Sequence, residues 1–215
     1  MRHLFASLAL MLGTAFGAHA ATITNGSFET GIAPGGFTTL GTGSTAITGW
    51  TVSSGNIDYI GSYWVASDGN RSLDLTGGTP GSISTTITDM IVGAVYNLYF
   101  DLSGNPAGAP PNKVLDVALS NPATQENYNY NIRTEGNSLT DMRWVTYILT
   151  FVATSTQSLL TFGAGNGGGG NACCYGPALD NVRIVQAAVV PLPAGGLMLL
   201  SGLAGFVALR RRKTA

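Results

Sequence analysis

Between residues 21 and 186 the chain has no histidine; both histidines, His3 and His19, fall in the first twenty residues. That absence rules out Ser-His-Asp and Cys-His catalysis and the histidine-ligated zinc centres. Charge is scarce as well. Asp, Glu, Lys and Arg make up 10% of the chain, against ~25% in an ordinary soluble domain. The same stretch holds one lysine, Lys113, and four arginines against eleven acids, a net charge of −6. With no basic patch, it argues against a nucleic-acid partner. Cysteine is confined to the adjacent pair Cys173-Cys174. No stretch between the two ends carries a helical stripe, and no unit of fixed length repeats. Carboxylate chemistry, calcium and plain binding are what remain.

The two ends read as targeting segments around one domain, 21–186. In residues 1–20, Arg2 precedes an apolar stretch from Leu4 to Phe16 and an A-x-A site, Ala18-His19-Ala20. This is the pattern of a secretory signal peptide. In residues 187–215, Val190-Pro191-Leu192-Pro193-Ala194 opens a small-residue and apolar run to Leu209, and Arg210 to Lys213 follow. As a helix, the run from Ala194 would span about 24 Å, short of the ~30 Å hydrocarbon core. The basic cluster would stay cytoplasmic and place the domain outside. The tail resembles the VPLPA variant of the PEP-CTERM bacterial sorting signals. That resemblance implies an exosortase as processing partner, a transient membrane anchor and a Gram-negative host that displays the protein on its surface or in its matrix. A plain single-span anchor is the alternative.

Alternation at period two recurs through the middle. Tyr96, Leu98, Phe100 and Leu102 share one face, as do Leu115, Val117 and Leu119, and Val145, Tyr147, Leu149 and Phe151. Further strands are expected at 22–28, 47–53, 56–60, 71–76, 81–88, 127–132, 157–163 and 178–186, rich in the residues that suit a pleated surface. Segments 31–43 and 164–175 read as long loops. Some eleven short strands must close a barrel or stack as a sandwich. Their irregular spacing favours an all-β jelly-roll sandwich.

Asn25–Gly31 (NGSFETG), Gly55–Trp64 (GNIDYIGSYW), Asp68–Gly77 (DGNRSLDLTG), Asp101–Pro106 (DLSGNP) and Gly176–Val182 (GPALDNV) together resemble the choice-of-anchor C family of bacterial surface proteins. That family is related to a plant cell-wall family of unknown function. The resemblance spans nearly all of 22–186. It implies a galactose-binding-like jelly roll and a non-catalytic wall- or matrix-associated domain.

Candidate ligand residues are Tyr63, Trp64, Asp68 and Asn70, which gather in a Gly- and Ser-rich stretch. Aromatic faces stack on sugar C–H patches while Asp and Asn take hydroxyls. The alternative is that these aromatics fold back onto the sandwich. Trp50 and Trp144 read as core. Arg71 is expected to pair with Asp68 or Asp74. A calcium site is expected from Asn25 and Glu29 on the first strand, Asp180 on the last and carbonyls of the Gly69–Arg71 loop, since calcium wants six to eight oxygens. The related modules, which often hold a structural calcium there, add weight to it. A solvated Glu29 and a turn-capping Asp180 are the alternative. Cys173 and Cys174 have Cα atoms ~3.8 Å apart. A vicinal ring, free thiols and an intermolecular bond all stay open. Function narrows to two readings. One is a module that binds extracellular polysaccharide; the other is a structural or interaction protein with no small ligand. Neither is an enzyme.

Overall fold

The computed structural model describes residues 20–165 and 173–188. The expected signal peptide, save Ala20, and the Val190–Ala194 motif lie outside them. Among the described residues, no helix is long and apolar enough to cross a membrane.

Two antiparallel sheets face each other. The first has six strands, in the order β1 (Phe37–Gly41), β3 (Asn56–Ile60), β4 (Ser72–Asp74), β11 (Pro177–Gln186), β6 (Val95–Gly104) and β9 (Val145–Val152). The second has five: β2 (Thr51–Ser54), β5 (Ser82–Ile87), β10 (Ser158–Ala164), β7 (Asn112–Ser120) and β8 (Ala123–Asn131). One helical turn, α1 (Ile132–Glu135), follows β8, capped by Asn131 at its start and Gly136 in the left-handed conformation at its end. This is the all-β jelly-roll sandwich expected from the alternation.

The core lies where the alternation places it. Tyr96, Leu98, Phe100 and Leu102 are fully buried, and Leu115, Val117 and Leu119 meet them from the other sheet. Phe100 packs edge-on to Phe162 and Tyr128. Each such side chain contributes about 1.5–3 kcal/mol by leaving water. Trp50 is core as expected, against Phe28 and Phe162.

The opposite face of the six-stranded sheet positions the site. On it, Asp58, Ile60, Ser72, Asp74, Ser103 and Ala178 alternate with the inward Ile57, Tyr59, Leu73, Leu102 and Leu179. Chain segments around 61–66 and 137–144 fold over part of that face. They enclose a second, small core of Ile60, Trp64, Met142 and Ala178, flanked by Tyr63, Leu139 and Trp144.

Two expectations need correction. Residues 22–28 form a turn with a single bridge, Thr22 to Thr88. Asn25 and Phe28 take positive φ, 55° and 60°. The Asn25 side chain bonds Thr30 N–H and the carbonyls of Thr30 and Thr48, and the Trp50 indole N–H donates to the carbonyls of Thr24 and Asn25. These bonds replace a strand ladder. Conversely, β1 forms inside the segment read as a loop. Only Leu40 of β1 is buried, so the apolar alternation there is too weak to read.

Candidate functional site

Asp58 and Asp74 occupy directly paired positions on β3 and β4. Like charges opposite one another destabilise a sheet, so the pair is a local cost that asks for an explanation. Both acids line a hollow of about 370 Å³ with Phe37, Thr39, Ile60, Tyr63, Asn105, Cys174 and Tyr175. Phe37, half exposed, meets Tyr63 edge-on at 5.5 Å between ring centroids. The lining thus has aromatic walls and an acidic floor.

The two acids differ in what they can offer. Asp74 is fully buried. Its Oδ1 accepts the backbone N–H of Thr76 and Gly176, both at 2.9 Å, and its Oδ2 accepts the Asn105 amide at 2.8 Å. Burial nonetheless pushes its pKa up to about 7, with the Asp58 charge adding to the rise. Asp58 is 9% exposed. Its Oδ1 accepts the Thr39 hydroxyl at 2.6 Å, and its Oδ2 has no partner among the described residues. Burial raises its pKa too, against the Thr39 bond.

A polar network behind the hollow fixes residues 174–176. The buried Lys113 ammonium donates to the carbonyls of Tyr175 (2.6 Å) and Gly108 (2.8 Å). The Asn105 amide reaches the Cys174 carbonyl, and Asn105 N–H reaches the Gly176 carbonyl. Burial pulls the Lys113 pKa down to about 8, opposed by Asp74. Gly176 must be glycine, because a Cβ there would lie 2.4 Å from Asp74 Oδ1. Cys173 and Cys174 are bonded to each other, and Cys174 forms part of the rim.

The expected ligand residues are split. Tyr63, Trp64 and Asn70 border a second, more open hollow of about 700 Å³ together with Arg71 and Leu139. Asp68 is exposed and outside both linings. Trp64 is not an open stacking platform. It is 4% exposed, and its indole N–H donates to Ser72 Oγ at 2.7 Å. Arg71 forms no ion pair with Asp68 or Asp74. Its guanidinium donates to the Tyr59 hydroxyl and the Ile32 carbonyl and lies over the Tyr59 ring.

The three expected calcium ligands, Asn25, Glu29 and Asp180, each carry hydrogen bonds within the protein. The turn at 22–28 does lie beside β11, through Val182 N–H on the Gly26 carbonyl. Yet Glu29 Oε1 accepts N–H from Asn70 and Arg71, and Asp180 accepts N–H from Ser67, Asp68 and Asn181. The Asn25 amide is committed to Thr30 and Thr48. Glu29 and Asp180 thus clamp the 67–71 loop through backbone donors, and Gly69 gives the close approach Glu29 needs. No group of three acidic, histidine or cysteine side chains that could hold a metal occurs among the described residues. With Glu29 Oε1 and both Asp180 oxygens already accepting backbone N–H groups, these side chains offer few free acceptors toward the six to eight oxygens calcium wants. The melting temperature is expected to be the same in excess calcium and in chelator. A rise of several degrees with calcium, abolished in Asp180→Ala, would restore the metal site.

The sequence reading missed Phe37, Asp58, Asp74, Asn105 and Tyr175. A signal was present, since an acid at the centre of a short apolar strand (Ile57-Asp58-Tyr59, Leu73-Asp74-Leu75) goes against β preference. Three of the segments that carry the family resemblance supply Asp58, Asp74 and Asn105 to this hollow.

The sandwich has similar counterparts among solved structures. An arabinose-bound GH51 α-L-arabinofuranosidase superposes with a TM-score of 0.50 at 14% identity, over 81% of this chain and 28% of that one. The CBM35 from Paenibacillus barcinonensis gives 0.45 at 16% identity, over 70% of this chain and 99% of that one. TmCBM61, solved with β-1,4-galactotriose, gives 0.43 at 14%, over 76% and 97%. In sequence, halomucin of Haloquadratum walsbyi is 36% identical over 191 residues, 82% of this chain; the match spans 2% of halomucin's length. The family model described as "Protein of unknown function (DUF642)" matches residues 21–185, and the chain therefore belongs to the DUF642 family.

Proposed function

We propose that this domain is an extracellular, non-catalytic glycan-binding module that seats a sugar ring in the hollow between Phe37, Tyr63 and Tyr175. The observation that carries this reading is the hollow itself. Its 370 Å³ falls at the small end of the ~300–1,000 Å³ of ligand sites, and half-open aromatic rings stand above one buried carboxylate with an oxygen to spare. Such rings pack on sugar C–H faces, and Asp58 Oδ2 accepts a hydroxyl. Hydrolysis by a carboxylate pair needs both acids at the scissile bond. Asp74 is committed on both oxygens to three donors, which supports binding without catalysis. The export reading rests on the signal-peptide pattern of residues 1–20, and processing by an exosortase on the Val190–Ala194 motif.

Phe37→Ala is expected to weaken glycan binding by about 1–3 kcal/mol, the scale of one aromatic face. Its half-exposed ring makes the melting temperature insensitive to the change. Glycan-array screening of fragment 21–188, followed by titration of the variant, checks this. Unchanged affinity in Phe37→Ala would remove the hollow as the site.

A second reading has its own observation. Val95, Ile148, Val152 and Val185 are all exposed on the outer face of β6, β9 and β11, with Asn97 and Thr150 between them. A mixed apolar and polar face of this kind suits a protein contact, as in a structural or interaction protein of the cell surface.

A further inference from the structure

We propose that the sugar seated in this hollow carries a free amine, so that the domain prefers de-N-acetylated hexosamine polymers over neutral ones and rejects uronate-bearing ones. This rests on the glycan-binding reading of the same hollow and adds the ligand's charge.

The groups that line the hollow set its charge preference. Two are carboxylic acids, Asp58 and Asp74, and none is a lysine or arginine. Lys113 stands behind, not in the lining, and its ammonium is directed at two backbone carbonyls. Asn105 cannot serve an anion either. Its amide N–H groups are aimed at Asp74 and at the Cys174 carbonyl. A carboxylate, sulfate or phosphate on the ligand would find no cationic side chain in the lining and would sit against the acids.

The reverse charge meets a suitable partner. Asp58 is nine-tenths buried, and its Oδ2 lacks a hydrogen-bond donor among the described residues. A hydroxyl would satisfy that oxygen. An ammonium would satisfy it with a charge-assisted bond, roughly twice as strong as a neutral one, and would also relieve the repulsion between the paired acids. The aromatic walls favour the same ligand, since a cation held against Phe37, Tyr63 or Tyr175 is attracted to the ring faces. N-acetylation removes the positive charge and adds bulk in a space of only about 370 Å³.

The test is titration calorimetry in buffer of physiological salt with three tetrasaccharides: β-1,4-linked glucosamine, its N-acetylated counterpart and galacturonic acid. The glucosamine oligomer is expected to bind about tenfold more tightly than the acetylated one, and the galacturonate oligomer not at all. Asp58→Asn keeps an acceptor for the Thr39 hydroxyl and is expected to erase the tenfold preference. Glu126→Gln, an exposed acid on the other sheet, removes the same net charge and is expected to leave the preference intact. If the neutral oligomer binds as well as the amine, the amino-sugar assignment falls and the glycan-binding reading stands. If Glu126→Gln costs as much as Asp58→Asn, the preference is bulk charge and the assignment falls. If no glycan on an array binds at all, both fall together.

Discussion

Replacing Trp64 with alanine lowers the melting temperature by roughly 10–15 °C, the largest expected effect of any single aromatic change on the outer face. Trp64 is 4% exposed, and its ring packs on Ile60, Met142 and Ala178. Truncating a buried tryptophan costs about 3–5 kcal/mol. Its indole N–H is also the donor to Ser72 Oγ, which is fully buried, so the change removes one partner of a buried hydrogen bond. At ~2–4 °C per kcal/mol for a domain of this size, the loss is plain in a thermal melt followed by circular dichroism. Trp64→Phe keeps much of the packing without the N–H and is expected to fall between the two. Glycan binding suffers in Trp64→Ala only as Tyr63, which leans on the Trp64 ring at 5.7 Å, loses its support. A melting temperature unmoved by the alanine change, with binding lost, would make Trp64 a ligand surface after all and dissolve the second core.

Trp64 shows where the sequence stops being legible. An aromatic pair in a Gly- and Ser-rich stretch looks the same whether it faces solvent or caps a sheet. The residues that decide, Met142 and Ala178, lie far along the chain, and no local pattern points to them. The strands at 95–104, 112–120 and 145–152 were legible for the opposite reason. Each is half-buried, so every second residue reports the core, and a pleated surface needs no distant partner to be recognised. The turn at 22–28 lies between these cases. Its composition suits a strand, yet a hydrogen bond from Asn25 to Thr48, 23 positions away, and two from Trp50 hold it in positive φ. For the site, individual acids at strand centres were visible as anomalies. The register that sets Asp58 directly against Asp74 was not, because the 61–71 excursion between β3 and β4 hides how the two strands align.

Stability is expected to fall as pH rises from 5 to 7.5, the reverse of a domain held by exposed ion pairs. The buried acids set the sign. Burial pushes the pKa of Asp74 and of Asp180 up from 3.8 to about 7, against the backbone N–H groups each accepts. In the unfolded chain both titrate near the ordinary carboxylate value. Between about pH 4 and 7 the folded state therefore binds more protons than the unfolded one, and stability drops with pH. The contribution is fully present below the unfolded pKa and is lost as pH climbs through about 7. At 1.36 kcal/mol per unit, three units give at most about 4 kcal/mol for each group. Asp58 and Asp116 are raised by burial too and act in the same direction. Lys113 enters only above pH 8, since its pKa is drawn down to about 8 from 10.5. Urea unfolding at pH 5 and pH 7.5 measures the difference, expected to be several kcal/mol in favour of pH 5. Asp180→Asn, which cannot ionise and keeps a carbonyl for the 67–71 loop, is expected to flatten part of the slope. Asp74→Asn flattens another part, but it sets an amide N–H against the Asn105 amide and lowers stability at both pH values. Stability that is level or rises from pH 5 to 7.5 would mean that the hydrogen bonds to Asp74 and Asp180 outweigh burial, and that both carboxylates are charged in the fold.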